Sequence, residues 1–207
     1  SVLVGLSPIL TTGFARVFVP QERLEPVGLA GLFLGLAGAV VIANPDPANL
    51  LAGGMGAKLL IVAAATAFAL GSVLTRWIDS DLSIEGMEAW SMLLGGLLMH
   101  VVSLGLGEAF GAVAWNLTTV ASLGYLSVFA SAIGFLIYFD LLDRLGAIEI
   151  NLVSYVAPVF AALSGWLVLS EVVTVETVAG FLLILAGFGL LKRREIAFEL
   201  DRAGVLG

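Results

Sequence analysis

The sequence predicts an all-helical, polytopic membrane protein with about seven transmembrane helices. Three observations carry that expectation. Of 207 residues, 60% are hydrophobic and only 12% are Asp, Glu, Lys or Arg, about half the charged share of an average soluble domain. The mean hydropathy is +1.10. The apolar residues fall in long runs, rich in Gly and Ala, that approach the ~20 residues a helix needs to cross hydrocarbon. They lack the strict alternation of barrel strands. Such a composition leaves too little polar surface for a soluble enzyme or a nucleic-acid binder. The formal net charge of −7 argues further against nucleic acid. Without Cys there are no disulfides, thiolate metal sites or Cys nucleophiles, and a single His makes no imidazole cluster. No metal or other cofactor is expected.

The spans follow in order. The first covers about 1–19, is interrupted by Pro8 and ends near Arg16; the second covers about 27–43 and stops at the Asn-Pro-Asp-Pro turn of 44–47. The remaining five cover about 57–77, 85–106, 117–139, 147–169 and 175–191. Cytoplasmic loops collect Lys and Arg. If the chain zigzags, Arg16, Arg23, Arg76, Arg144, Lys192, Arg193, Arg194 and Arg202 fall on one side, and Lys58 alone on the other. The expected product is a multi-pass protein of the cell (plasma) membrane with a cytoplasmic C-terminus. Ser1 then lies outside. Because no initiator Met or basic leader precedes it, an N-terminal portion is expected to be missing.

Comparing the chain with itself gives a repeat. Ser-Pro-Ile-Leu-Thr-Thr-Gly-Phe-Ala around Pro8 parallels Ala-Pro-Val-Phe-Ala-Ala-Leu-Ser-Gly around Pro158. Glu22 precedes Gly31 and Gly38 at the same spacings at which Glu171 precedes Gly180 and Gly187. Glu22 falls in a base-rich loop and Glu171 in a base-free one, so the copies point in opposite directions. Inverted repeats of this kind are characteristic of secondary transporters, with the substrate site near the midplane between them.

The stretch Leu145-Gly-Ala-Ile-Glu-Ile-Asn-Leu-Val-Ser-Tyr-Val-Ala-Pro-Val-Phe-Ala-Ala, followed by Leu169-Ser170-Glu171 and Gly180, resembles the EamA domain of the drug/metabolite transporter superfamily. The resemblance implies ten helices in two inverted five-helix repeats that move small metabolites across the inner or plasma membrane. On that pattern, residues 1–44 are the last two helices of the first repeat and 45–56 an extracytoplasmic linker. Residues 57–193 are a complete second repeat and 194–207 a cytoplasmic tail. On that pattern, half of the first domain is expected to be missing from this sequence.

Candidate functional residues divide into scaffold and polar face. Pro8 and Pro158 lie within apolar runs, where a proline removes a helix hydrogen bond and makes a kink or hinge. Glu22 and Glu171 are turn acids, each placed just before the next span, where amides and the helix dipole favour a carboxylate. Asn151, Ser154, Tyr155 and Pro158 recur three or four apart and so share a helix face. Their repeat mates keep the proline but not the polar residues, which makes Asn151, Ser154 and Tyr155 candidate substrate contacts. The competing reading is interhelical hydrogen-bond glue. Tyr125 and Ser131 on the fifth span are further candidates for the same cavity. Glu88, about one turn into the fourth span, is expected to reach the interface, and His100 to be neutral and hydrogen-bonded.

The expected function is a secondary transporter, exporting a small metabolite or amphipathic organic solute by alternating access. An organophosphate or nucleotide-sugar exchanger on the same fold is the first alternative, disfavoured because it wants cations deep in the cavity. An intramembrane enzyme would want a convergent acid–base or metal set that the chain lacks, so no enzymatic activity is expected. A non-transporting membrane scaffold remains open. The expected partners are a small-molecule substrate and the lipid bilayer, with a homodimer allowed for.

Overall fold

A computed structural model describes residues 2–22, 24–43, 55–78, 80–109, 111, 113–170 and 174–202. All regular structure among them is helical. A 3₁₀ segment, Val2–Leu6, leads into α1 (Ser7–Phe18); α2 covers Pro26–Ala43, α3 Met55–Ile78 and α4 Ile84–Gly105. The fifth span is continuous, from α5 (Leu117–Tyr125) through a π-helical stretch, Leu126–Ile133, into α6 (Gly134–Leu145). After it come α7 (Ala147–Asn151), α8 (Val153–Leu169), α9 (Val175–Leu191) and a polar α10 (Arg193–Arg202).

Each of the seven expected spans is therefore a helix. Five stretches are long and apolar enough to cross a membrane: Pro26–Ala43, Gly56–Ile78, Ile84–Gly105, Leu117–Leu145 and Ala147–Val168; Val175–Leu191 is a shorter apolar helix. The chain is a polytopic membrane protein. Its helix ends follow local chemistry. Ser83, Asn116 and Thr174 each accept a backbone N–H from three residues on (Gly86, Thr119 and Thr177), satisfying a donor the first helical turn leaves free.

Three differences from the sequence expectation have local causes. Pro8 does not kink a helix from inside; it occupies the first turn of α1, after the 3₁₀ segment. There its missing N–H costs nothing and its fixed φ suits the helix. Pro158 does lie inside a helix, but the sixth span also breaks seven residues earlier, where Asn151 ends α7 and Leu152 separates it from α8. The fifth span runs to Leu145, past Phe139, because Tyr138 to Leu145 keep a helical apolar face that buries Phe139 and Leu142.

The chain folds as two compact units. One comprises residues 1–78 and 146–207, the other residues 79–145. In the first, α2 and α9 pack antiparallel along glycines. A Cβ built on Gly31 would lie 2.5 Å from the carbonyl oxygen of Gly187, and one on Gly38 would lie 2.5 Å from that of Gly180. Backbones meet there with no room for any side chain, the small-residue packing that membrane helices use where lipid removes the usual hydrophobic drive. Leu32 and Ala39 of α2 join Leu152 and Tyr155 in the buried core beside this seam, with Phe188 and Leu191 packed against them.

The second unit holds α4, α5, the π stretch and α6. Phe135, Tyr138 and Phe139 form an aromatic cluster with centroids 5.7 to 6.1 Å apart. Large apolar side chains such as Leu98, Leu104, Leu117 and Phe129 stand exposed along its helices, as a bilayer-facing surface requires. Glu88 is buried: the side of α4 carrying Ile84, Met87 and Glu88 is sheltered while Glu85 and Ala89 stay exposed. His100 Nδ1 lies 3.0 Å from the Gly96 carbonyl, one turn back.

Candidate functional site

The residues around the α7–α8 face sort into three environments. The first is a buried knot at the break between α7 and α8. Asn151 is 1% exposed. Its Nδ2 donates to Ser72 Oγ (2.9 Å) and to the Ala147 carbonyl (2.7 Å), while its Oδ1 accepts from Ser7 Oγ (3.2 Å). Ser72 Oγ donates onward to the Ala69 carbonyl at 2.9 Å, and Thr11 Oγ1 to the Ser7 carbonyl at 2.8 Å. The knot ties α1, α3 and α7 together. Both ends of the Asn151 amide are engaged inside the protein, which is what burial of an amide demands.

The second environment is the seam. Tyr155 is 1% exposed, and a Cβ on Gly35 would lie 2.7 Å from its ring. The glycine leaves the ring its place. The Tyr155 hydroxyl is buried with no hydrogen-bond partner among the described residues, an unusual cost for a phenol in a protein interior.

The third is a small recess lined by Gly5, Leu36, Ala39, Val40, Ala43, Ser154 and Pro158, with room for about one water molecule. Its polar features come from a single turn of α8. Ser154 is the one lining residue with a polar side chain, and Pro158 has no N–H to donate to the Ser154 carbonyl four residues earlier. The helix face read from the sequence is thus divided: Ser154 and Pro158 reach the recess, while Asn151 and Tyr155 support it from the knot and the seam.

Among the turn acids, Glu22 holds a helix start, but not that of the helix following it. Its Oε2 accepts the Ala147 N–H at 2.8 Å, at the start of α7, and its Oε1 pairs with Arg76 Nε at 3.1 Å, in the last turn of α3. Gly146 makes the approach: its φ is +93°, a conformation that strains any other residue. A Cβ there would come within 2.9 Å of the Glu22 carboxylate. Two further sets of ion pairs lie at this end of the unit. Lys192 meets Glu149 at 3.1 Å; Arg193 and Arg194 both meet Glu25, at 2.9 and 2.6 Å. Glu171 lies outside the described residues. In the second unit, Tyr125 is exposed and stacks on Phe129, with centroids 5.3 Å apart, while Ser131 is half-buried in the π stretch.

Compared with known proteins, the chain matches the EamA-like transporter family over residues 55–193. It belongs to that family. An EamA relative in Bacillus subtilis (strain 168), the "Uncharacterized transporter YoaV", is 27% identical over 90% of this chain and 63% of its own length. A "Probable amino-acid metabolite efflux pump" of Salmonella typhimurium is 30% identical over 86% of the chain and 63% of the pump. The chloroplastic "WAT1-related protein At3g02690" of Arabidopsis thaliana is 29% identical over 83% of the chain and 42% of its own length. The chain thus spans about two thirds or less of the length of the curated EamA relatives it matches.

Sequence reasoning did not single out Ser7, Thr11, Ser72, Arg76 or Gly146 as site residues. Ser7 and Thr11 carried one usable signal, two hydroxyls four apart in an apolar helix, which share a face. Gly146, directly after the apolar run that ends at Leu145, carried another. Nothing local marked Ser72 or Arg76, because their partners lie far away in the chain.

Proposed function

We propose that this EamA chain carries out secondary transport, exporting a small metabolite or amphipathic organic solute by alternating access between inverted repeats. The glycine seam is the observation that carries the reading. At the repeat spacing, Gly31 corresponds to Gly180 and Gly38 to Gly187. The contacts pair Gly31 with Gly187 and Gly38 with Gly180. Exchanging each glycine for its mate therefore turns one contact into the other, as a pseudo-two-fold axis through the seam would do. On this reading residues 1–44 close the first repeat, 57–193 form the second, and the base-rich end faces the cytoplasm.

The recess between the 3₁₀ segment, α2 and α8 is the candidate substrate site. It draws walls from both repeats, and its size supports a closed state: a metabolite enters only if α2 and α8 part. The Ser154 hydroxyl and carbonyl suit a solute with a hydrogen-bond donor such as an ammonium group. That agrees with the amino-acid metabolites in the name of the Salmonella relative. Asn151 and Tyr155 are the further candidates for shaping the recess, and Tyr125 and Ser131 are separate candidates for solute contact on the fifth span.

The test is efflux of radiolabelled amino acids and amino-acid metabolites from proteoliposomes holding the full-length protein. Saturable efflux that falls at least fivefold in Ser154→Val supports the reading. Unchanged efflux in that variant removes the recess as the site, and no efflux of any solute removes transport itself. A C-terminal fluorescent-protein fusion that glows, against an inactive alkaline phosphatase fusion, supports the orientation.

A further inference from the structure

The Glu22 carboxylate joins three separate segments at the base-rich end: the α1–α2 connector, the last turn of α3 and the start of α7. Its two oxygens are divided between a guanidinium and a backbone N–H, both charge-assisted bonds of the stronger kind. Glu22 is 13% exposed by side chain and Arg76 31%. Water therefore competes for this cluster less than for the Glu25 pairs, whose acid is 44% exposed and whose arginines are 43% and 74% exposed. The cradle is shaped to the acid as well. Gly146 holds a positive φ, and the space a Cβ would take is filled by the carboxylate. A loop acid that merely solvates a turn has no need of such a cradle.

We propose that Glu22 is the latch that closes the base-rich end of the solute path, released each time that end opens. Resting on the transport reading above, the inference assigns this acid a state-dependent role. Its bonds to Ala147 and Arg76 hold α7 and α3 against the α1–α2 connector. Since α7 continues through Leu152 into α8, holding α7 also holds Ser154 and Pro158 at the recess. Opening this end requires α7 to leave the carboxylate, so the latch sets how often the recess is reached from that side. Asn151 anchors the other end of α7 inside the protein, which makes this five-residue helix a lever held at both ends.

Residues 1–207 contain no Cys, so Ser154→Cys adds the one thiol within them, and any Cys in the rest of the full-length protein is first replaced by Ser. The experiment measures its labelling rate by a membrane-impermeant, charged maleimide, using right-side-out and inside-out vesicles that carry the full-length protein. Alternating access predicts labelling from both sides. With Glu22→Gln added, labelling from the base-rich side should rise about fivefold or more while labelling from the opposite side falls. Arg76→Gln, which removes one of the two partners, should shift both rates in the same directions by less. Glu25→Gln should leave both rates unchanged.

Unchanged rates in Glu22→Gln overturn the latch and leave transport standing. A rise from both sides together also overturns it, because that is loosening of the fold and not a shift between two states. If Ser154→Cys labels from neither side in any background, the recess is on no path, and the latch and the site reading fall together.

Discussion

Gly187→Ala and Gly189→Ala place the same methyl group two residues apart on α9 and should change stability in opposite directions. A Cβ at Gly187 would sit 2.6 Å from the Gly31 carbonyl oxygen and 2.8 Å from the Gly35 nitrogen, whereas one at Gly189 meets nothing within 4 Å. The neighbours at Gly187 are backbone atoms and cannot rotate away. Restoring ordinary contact requires α2 and α9 to separate by nearly 1 Å, loosening the Gly38–Gly180 contact along with it. Overpacking of this kind costs about 1–3 kcal/mol. Replacing a helical glycine with alanine gains about 0.5–1 kcal/mol where space is free. Gly189→Ala should therefore be neutral to stabilising, and the two variants should differ by about 2–3 kcal/mol. For a chain of this length 1 kcal/mol moves a melting temperature by about 2–4 °C. Thermal unfolding of the purified protein in one detergent should then separate the variants by about 4–12 °C. If Gly187→Ala melts at or above Gly189→Ala, the seam is not a backbone contact, and the symmetry drawn from it loses its basis.

The other predictions test single environments. Asn151→Ala removes the centre of the buried knot, leaving Ser7, Ser72 and the Ala147 carbonyl each short of a partner; it should destabilise by about 1–3 kcal/mol in denaturant titration. Gly146→Ala combines an unfavourable positive φ with a clash against the Glu22 carboxylate, and a loss of about 1–2 kcal/mol is expected. Glu22→Gln made in the Gly146→Ala background should then add less destabilisation than it does alone. Tyr155→Phe deletes a buried hydroxyl that has no partner among the described residues, so stability should hold or rise. A fall in melting temperature would show that the hydroxyl is satisfied in the membrane, and a loss of efflux at unchanged stability would give it a role toward the solute.

Much of the fold was legible because membrane insertion is decided by local composition. The five stretches long enough to cross a membrane and the shorter helix Val175–Leu191 were all visible as apolar runs, and the caps at Ser83, Asn116 and Thr174 lie where polar residues precede such runs. The misreadings fall where backbone geometry overrides composition. Pro8 and Pro158 look alike in sequence, yet one begins a helix and the other lies within one, because only tertiary packing decides whether the residues before a proline continue the helix. The shared face of Asn151, Ser154 and Tyr155 was legible as a period. What each residue on that face does was not, since the period says which side chains point together and not what stands opposite them.

The sequence by itself determined that this is a helical membrane protein, where its spans lie, and which glycines recur at matching spacings. Those properties depend on hydropathy and helical period, which are set within about 20 neighbouring residues. Only the tertiary structure decided that those glycines meet across α2 and α9, that Asn151 is held by Ser7 at a separation of 144 residues, and that Glu22 reaches Ala147 across 125. Nothing along the chain encodes such a partner directly. It follows from which helices lie side by side once burial and hydrogen bonding are satisfied together.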